Sequence, residues 1–248
     1  MSTKLYHKKF SIDHYSELPS TNSLAFQLAK SYQIDHRHII LSDLQTAGRG
    51  RMDRNWISPT GNLYFSLVLK PQKSITTSSQ ISFVATTAMG LAIAEFGGRR
   101  KINYKWPNDI LLGGEKVAGI LLESDAPESP NGFIILGIGV NINSHPNSVI
   151  YPACNLVDQG FVIGNKTDLL KKFLDHFDIL YQKWLDFGFA PIRNLWLDRA
   201  FNLDEQINVN LSGRSLKGVF KDLDQGGNLI LGIDKENILI SSGEVFTK

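Results

Sequence analysis

Three arginines and two glycines stand close together in QTAGRGRMDRNW, the segment from Gln45 to Trp56. Guanidinium groups bind carboxylate and phosphate oxygens through paired hydrogen bonds, and glycine lets the backbone come close to a ligand. An anion-binding loop is therefore one interpretation of this segment. A basic loop that contacts nucleic acid, with the tryptophan stacked on a base, would use the same residue types. The segment alone leaves both interpretations open.

Two further segments combine cations or glycines with turn residues. In KWPND, residues 105–109, a lysine precedes a turn, and Lys116 follows across the next hairpin. In GIGVN, residues 137–141, two glycines alternate along an apolar strand. Glycine usually weakens a strand, so its presence there suggests close approach of a ligand or of another backbone. An ordinary polar hairpin and tight sheet packing are the structural alternatives for these two segments.

Composition excludes several classes of function. The 248-residue chain has a net charge of only +2, with 42% hydrophobic and 20% charged residues, which is typical of a globular protein. The near-neutral charge disfavours a dedicated nucleic-acid-binding protein. No apolar run approaches the roughly 18 residues that cross a bilayer. A single cysteine, Cys154, and a polar N-terminal segment predict a cytoplasmic protein.

The sequence lacks the common short signatures of phosphate and metal binding. It has neither a glycine loop that ends in Lys-Ser or Lys-Thr nor the pattern Gly-x-Gly-x-x-Gly. The six histidines are scattered, and His36 and His38 are expected to be ordinary surface residues. We therefore predict no metal held by protein side chains, and any nucleotide must bind in another kind of site.

The spacing of apolar residues predicts the elements that position these segments. Helices are expected to begin near Ser20 and to cover about 78–96, 168–185 and 191–200. Strands are expected at 38–41, 63–69, 102–106, 110–112, 117–122 and 133–143. The prediction is an α+β fold, in which helices flank a central mixed or antiparallel sheet.

The last part of the chain has a different texture. From 207 to 246 it contains only short apolar runs between turns rich in glycine and aspartate. This pattern predicts a small β-barrel domain. We therefore expect two domains, residues 1–200 and residues 201–248.

Five motifs, taken in this order and spacing, resemble the catalytic domain of biotin protein ligases. They are Ser20-Thr21-Asn22, Gln45 with Gly48-Arg49-Gly50-Arg51 and Trp56, residues 105–109, residues 116–121, and Gly137-x-Gly139-x-Asn141. The resemblance runs from about Ser16 to Leu185, and 207–246 resembles the small C-terminal domain of the same family. It implies a class II synthetase-like catalytic domain of the biotin/lipoate ligase type and an SH3-like C-terminal barrel.

The resemblance also implies an activity. ATP, accompanied by Mg²⁺, would activate biotin as biotinyl-5'-AMP, and biotin would then pass to a lysine of a biotin carboxyl carrier protein or domain. The catalytic residues would be Arg51, Lys116 and Lys105. Biotin would be bound by Ser20, Thr21, Asn22, Gln45, Gly48, Arg49, Gly50, Arg51, Lys116, Gly119, Gly137 and Gly139. ATP would be bound by Arg54, Trp56, Lys105, Asn108 and Asn141.

One position departs from the pattern of that family, because Asp53 stands where a glycine is common. Its negative charge near the phosphates predicts faster release of the adenylate. The family's bifunctional members carry an N-terminal DNA-binding domain, and only 19 residues precede Ser20 here. We therefore expect a ligase that binds neither DNA nor membrane, and we leave a homodimer open. A protein that senses biotin or a nucleotide without catalysis is the alternative.

Overall fold

The computed structural model describes residues 2–52, 54–71, 79–98, 100–125, 132–146, 152–211 and 213–246. Its larger sheet consists of β1 (Thr3–His7), β2 (Phe10–Leu18), β3 (His38–Gln45), β4 (Leu63–Leu69), β5 (Ile102–Lys105), β6 (Asp109–Leu112), β7 (Glu115–Asp125) and β8 (Phe133–Val140). The strand order is β1-β2-β3-β4-β8-β7-β6-β5. The pair β2–β3 is parallel and the other neighbours are antiparallel, so the sheet is mixed, as the sequence predicts.

Helices in the described residues cover both faces of this sheet. They are α1 (Thr21–Lys30), α2 (Ile81–Ala94), α3 (Lys166–Phe187) and α4 (Ala190–Leu197). On one face α1 packs through Ala25 and Ala29 against Ile40 and Val68. On the other face α2 and α3 form the main core with the opposite side chains of the same strands. None of these helices combines the length and the apolar composition that a membrane span requires.

The helix α1 begins where the sequence predicts. The Ser20 side chain accepts a hydrogen bond from the backbone N–H of Ser23 and so caps the first turn. Asn165 caps α3 in the same way, through the N–H of Thr167. The first cap matters for the site, because it fixes the start of α1 at the end of the sheet where the predicted site residues gather.

The helix α2 is buried on nearly all sides, between the sheet and α3. Gly90 lies in its middle, and a Cβ atom added there would lie 2.3 Å from the Tyr104 hydroxyl oxygen. Alanine favours a helix by about 1 kcal/mol over glycine. Overpacking of a core costs about 1 to 3 kcal/mol, and the near-complete burial of Tyr104 leaves it little room to move.

We therefore expect Gly90→Ala to lower the free energy of unfolding by about 1 to 2 kcal/mol, in spite of the better helix propensity. Urea unfolding at pH 7 measures the change. Gly164→Ala is a matched control, since no heavy atom lies within 4 Å of a Cβ at that position. A Gly90→Ala protein as stable as the wild type would show that Tyr104 moves freely.

A second, smaller sheet follows α4. Its strands are β9 (Gln206–Leu211), β10 (Arg214–Leu223), β11 (Leu229–Ile233), β12 (Glu236–Ile240) and β13 (Glu244–Phe246). The order is β12-β11-β10-β9-β13, with every neighbouring pair antiparallel. The prediction of a small domain built from β-strands is confirmed, but in the described part of the chain the end strands β12 and β13 do not pair, so the strands form an open antiparallel sheet and not the closed barrel that was expected.

The small sheet is joined to the rest of the molecule by hydrogen bonds that two buried side chains donate. The indole N–H of Trp106 donates to the carbonyl of Gly227 at 3.0 Å, and Gln80 donates to the carbonyl of Gln225 at 2.9 Å. The connecting segment itself covers the edge of β5, where Tyr104 N–H donates to the carbonyl of Arg199 at 2.8 Å. The domain boundary expected near residue 200 therefore lies in a segment that is hydrogen-bonded to the larger sheet.

Two strands, β1 and β2, are not among those predicted, and β3 continues to Gln45, four residues beyond its expected end. The residues of β1 are mostly exposed at the edge of the sheet, so no buried face imposes an alternating pattern on them. The parallel pairing of β2 with β3 depends on residues distant in sequence. Local periodicity could not reveal either strand.

Candidate functional site

A cleft of about 450 Å³ lies at one end of the larger sheet. Because β3 and β8 end where β4 and β7 begin, the segments that flank these strands meet there. Every site residue predicted from the sequence lines this cleft except Gly48. Residues 243–245, at the start of β13 in the small sheet, also line the cleft.

The arginine loop, residues 48–56, is a narrow hairpin at the mouth of the cleft. The N–H of Trp56 donates to the carbonyl of Gly48 at 2.9 Å, and the N–H of Gly50 donates to the carbonyl of Arg54 at 2.7 Å. A Cβ atom at Gly48 would lie 2.4 Å from the Trp56 carbonyl oxygen, so this glycine lets the hairpin close. Asp53 lies outside the described residues, and its effect on adenylate release stays a prediction.

One wall of the cleft is a polar network at the start of α1. The N–H of Thr21 donates to Gln45 Oε1 at 2.8 Å, and Gln45 Nε2 donates to Ser58 Oγ at 2.9 Å. Asn22 Nδ2 donates to Glu123 Oε2 at 2.8 Å, and its Oδ1 accepts from Ser66 Oγ at 2.5 Å. The predicted polar residues are thus held by hydrogen bonds within the protein. Ser20, Thr21, Asn22 and Gln45 line the cleft, and the other members of the network support them from behind. We call the whole set the polar wall: Ser20, Thr21, Asn22, Gln45, Ser58, Ser66 and Glu123.

Sequence reasoning missed Ser66 and Glu123 in this network. Ser66 is the only serine in the apolar strand LYFSLVL, and it is fully buried. A single small polar residue in an apolar strand could have indicated a buried hydrogen bond there. Glu123 follows the motif of residues 116–121, and nothing in its local sequence marks it. Glu123 also pairs with the Arg49 guanidinium, which fixes the start of the arginine loop.

The opposite end of the cleft is a cluster of charges around Asp109. Its carboxylate lies 2.6 Å from Lys116 Nζ and 3.1 Å from Lys105 Nζ. Burial by itself would raise the pKa of Asp109, but the two lysines outweigh it and hold the pKa below its ordinary value of 3.8. Both lysines were predicted from the sequence as site residues. Their shared ion pair with the buried Asp109 carboxylate was not predicted.

Two arginines of the loop complete this charged end. Arg51 Nη1 donates to Asn108 Oδ1 at 3.2 Å, while the Arg54 guanidinium pairs with Glu244 of β13. Burial lowers the pKa of Arg51, and the carboxylates of Asp109 and Glu244 oppose that shift. Glu244 was not predicted as a site residue. Its contact with Arg54 couples the small sheet to the arginine loop.

The indole of Trp56 lies between the polar wall and the charged end. A Cβ atom at Gly139 would lie 2.4 Å from Trp56 Nε1, and one at Gly119 would lie 3.1 Å from the ring. Lys116 Nζ is 5.3 Å from the centre of the indole. The glycines therefore make room for this ring, and Gly137 does the same for the Asn22 amide. Contact of these glycines with biotin stays a prediction.

Asn62 was also missed, and it shapes the chain beyond β8. Its Oδ1 accepts hydrogen bonds from the backbone N–H groups of Ile142, Asn143 and Ser144 at 2.9 to 3.2 Å. Just before them Asn141 is buried and donates to the carbonyl of Cys154 at 3.1 Å. Asn62 thus fixes the turn that follows the predicted nucleotide-binding residue Asn141.

The arrangement suits a ligand with a polar head, an apolar middle and an anionic end beside a nucleotide. The polar wall supplies fixed hydrogen-bonding groups, Trp56 supplies an apolar surface, and Arg51, Lys105 and Lys116 supply cations. Such a cluster can bring two anions together and stabilise charge that develops between them. In the residues that the structure describes, no group of three or more His, Cys, Asp and Glu side chains is placed to hold a metal ion.

Family models match both parts of the chain. That of the Biotin/lipoate A/B protein ligase family matches residues 15–141, and that of the Biotin protein ligase C terminal domain matches residues 203–248. The biotin–[acetyl-CoA-carboxylase] ligase of Paracoccus denitrificans is 39% identical over 237 residues, which cover 92% of this chain and 96% of the relative. The bifunctional ligase/repressor BirA of Bacillus subtilis is 34% identical over 92% of this chain and 68% of its own length.

A solved structure has the same fold. The biotin protein ligase from Aquifex aeolicus in complex with biotin and ATP superposes with a TM-score of 0.81 at 24% identity. The match covers 95% of this chain and 97% of that one.

Proposed function

This chain belongs to the Biotin/lipoate A/B protein ligase family, and from that premise we propose which residues of its cleft bind biotin and ATP. The protein is an ATP-dependent biotin protein ligase, and the findings support ligation over a sensor without catalysis. The observation that carries the residue assignment is that one cleft holds the polar wall at one end and the lysines around Asp109 at the other.

Biotin has a cyclic urea, an apolar bicycle and a carboxylate tail. We place the urea against Thr21 and Gln45, and the carboxylate near Arg51 and Lys116, because those groups match in polarity and charge. The biotin-binding set is completed by Ser20, Asn22, Gly48, Arg49, Gly50, Gly119, Gly137 and Gly139. We place ATP beside it, in contact with Trp56, Asn108, Asn141, Arg54 and Lys105.

The reaction joins two anions. The biotin carboxylate attacks the α-phosphorus of ATP, and pyrophosphate leaves. Mg²⁺ bound to ATP would offset part of the phosphate charge. Arg51, Lys105 and Lys116 stabilise the negative charge that grows on the phosphorus oxygens, which is the largest contribution the protein can make here. No covalent bond to the enzyme is needed, because the carboxylate itself attacks ATP and the product is a mixed anhydride of biotin and AMP.

In the second step a lysine amine of the acceptor attacks the anhydride carbonyl and AMP leaves. The amine must first lose a proton, which costs about 4 to 5 kcal/mol at pH 7 from a reference pKa of about 10.4. The cations Arg51 and Lys116 beside it favour the neutral amine and so reduce that cost. The same charges therefore assist both steps.

We propose the carrier domain of a biotin-dependent carboxylase as the acceptor, residues 1–200 as the catalytic domain and 201–248 as the C-terminal domain. The ligase activity of the Paracoccus relative supports the acceptor class. The contact of Glu244 with Arg54 supports a role for the C-terminal domain in closing the cleft. A cytoplasmic location and a homodimer stay predictions.

The direct test is incubation of the full chain with ATP, Mg²⁺, biotin and a biotin carboxyl carrier domain, followed by mass spectrometry of the acceptor. We expect a mass increase of one biotinyl group on a single lysine, dependent on ATP. An acceptor with its lysine replaced by arginine is the control. Biotin binding without transfer would instead favour the sensor.

A further inference from the structure

A single hydrogen-bonded chain of side chains joins the two ends of the arginine loop beneath the cleft. It starts at Arg49, near the beginning of the loop, and ends at the carbonyl of Trp56, its last residue. The side chains between them lie on α1, on the strands β3, β4 and β7, and at Ser58 in the segment between β3 and β4. In order, they are Glu123, Asn22, Ser66, Thr21, Gln45 and Ser58.

Glu123 fixes the direction of the hydrogen bonds at its end of this chain. An ionised carboxylate only accepts, so Asn22 must present its Nδ2 to Glu123, at 2.8 Å. Asn22 Oδ1 then faces Ser66, and Ser66 must donate its hydroxyl hydrogen to it, at 2.5 Å. One charged residue thereby sets the orientation of an amide and of a hydroxyl group.

A backbone group fixes the other end. The N–H of Thr21 can only donate, so Gln45 must turn its Oε1 toward it, at 2.8 Å. Gln45 Nε2 then donates to Ser58 Oγ, and Ser58 donates to the Trp56 carbonyl at 2.8 Å. Only the Thr21 hydroxyl, between these two ends, keeps any freedom.

The Thr21 hydroxyl has one hydrogen and two oxygen neighbours within the protein. Ser66 Oγ lies at 2.8 Å and Gln45 Oε1 at 3.1 Å, and Ser66 has already given its hydrogen to Asn22. The Thr21 hydrogen is therefore used inside the protein, whichever neighbour receives it. Thr21 lines the cleft, so its hydroxyl oxygen offers a lone pair there, which can accept an N–H group.

We propose that Glu123 is a positioning residue that makes the Thr21 hydroxyl a hydrogen-bond acceptor and so selects an N–H group of the biotin urea. The inference rests on the proposed function, which puts the urea against Thr21 and Gln45. Glu123 acts from outside the cleft lining, through Asn22, and its pairing with Arg49 ties the same carboxylate to the arginine loop.

Glu123→Gln tests the proposal without a change of shape. A glutamine amide can donate as well as accept, so the Asn22 amide is free to turn over. Ser66 would then accept from Asn22 and donate to Thr21, which uses a lone pair that the urea needs. We expect the KM for biotin to rise about tenfold, the worth of one hydrogen bond, while the KM for ATP and kcat change less than twofold.

Two control experiments distinguish this positioning role from a nonspecific effect of the substitution on the fold. Glu95→Gln removes a carboxylate that pairs with Lys172 and His176, away from the cleft, and it should leave all three kinetic constants unchanged. If Glu123 acts through Asn22, the Asn22→Ala/Glu123→Gln double variant should have the biotin KM of Asn22→Ala alone. Thermal midpoints of all variants, measured in parallel, show whether each protein is folded.

Each outcome bears on a separate claim. Additive effects in the double variant, or equal changes in the KM for biotin and for ATP, would overturn the positioning role. A wild-type protein that transfers biotin, beside a Glu123→Gln protein with an unchanged biotin KM, contradicts this inference alone. A wild-type protein that transfers no biotin contradicts the proposed function itself.

Discussion

Replacement of Lys116 by alanine is expected to slow biotin-dependent release of pyrophosphate by roughly 10²- to 10³-fold, the loss found when one preorganised charge-stabilising group is removed. Lys116 Nζ lies 2.6 Å from Asp109 and beside the Trp56 ring, at the charged end of the cleft. Its ammonium group is thus fixed at the place where the proposed function puts the biotin carboxylate and the α-phosphate. The rate is measured under saturating ATP and biotin, so that weakened binding does not enter.

The fold should survive this replacement, because Asp109 keeps a cationic partner in Lys105, 3.1 Å away. We expect the thermal midpoint of Lys116→Ala to stay within a few degrees of the wild type. Lys171→Ala is the matched control, since Lys171 is half exposed and pairs only loosely with Asp168, at 3.5 Å. Normal pyrophosphate release by Lys116→Ala would remove this lysine from the mechanism.

Local signals in the sequence account for the elements and motifs that were predicted correctly. Ser20 before a helical repeat gave the start of α1, and the apolar spacing in 78–96 gave α2 to within three residues at each end. The turn residues in 105–109 gave the hairpin of β5 and β6. Five such motifs stand in the order of a known family. The residues that line the cleft could therefore be predicted although the strand order was not.

Contacts between distant residues account for what was missed. Glu123 meets Asn22 across 101 positions, and Glu244 meets Arg54 across 190, so neither pairing leaves a mark in its own neighbourhood. The glycines show a second limit. Their pattern predicted the close approach of a ligand or of another backbone, whereas in the structure the Trp56 ring and the Asn22 amide, both side chains of the protein, lie against them. A glycine in a strand indicates that a neighbouring group needs the space of a side chain, but it does not identify that group.

Asp109 was overlooked for a related reason: in the sequence it reads as a turn residue, yet in the fold it neutralises two lysines. Its side chain is 9% exposed, against 11% for Lys105 and 24% for Lys116. Removal of one member of a fully buried ion pair costs about 3 to 5 kcal/mol. Because these lysines retain some contact with water, we expect Asp109→Ala to lower the free energy of unfolding by about 2 to 3 kcal/mol at pH 7.

The pH dependence of that loss identifies its origin. The pKa of Asp109 is lower in the folded protein than its ordinary value of 3.8, so the folded state favours the ionised form. Its contribution is therefore complete well above pH 3.8 and disappears as the pH falls through the lowered pKa. Urea unfolding of wild type and Asp109→Ala should give a constant difference between pH 5 and 8 and a shrinking one below about pH 4.

Asp109→Asn distinguishes charge from packing, since it keeps the size of the side chain and removes its charge. If the two lysines need a carboxylate, the asparagine protein loses most of the same stability. Pyrophosphate release should also fall at least tenfold in both variants, because Lys116 loses the group that aims it. An asparagine protein with wild-type stability and rate would mean that Asp109 serves only to fill space between Lys105 and Lys116.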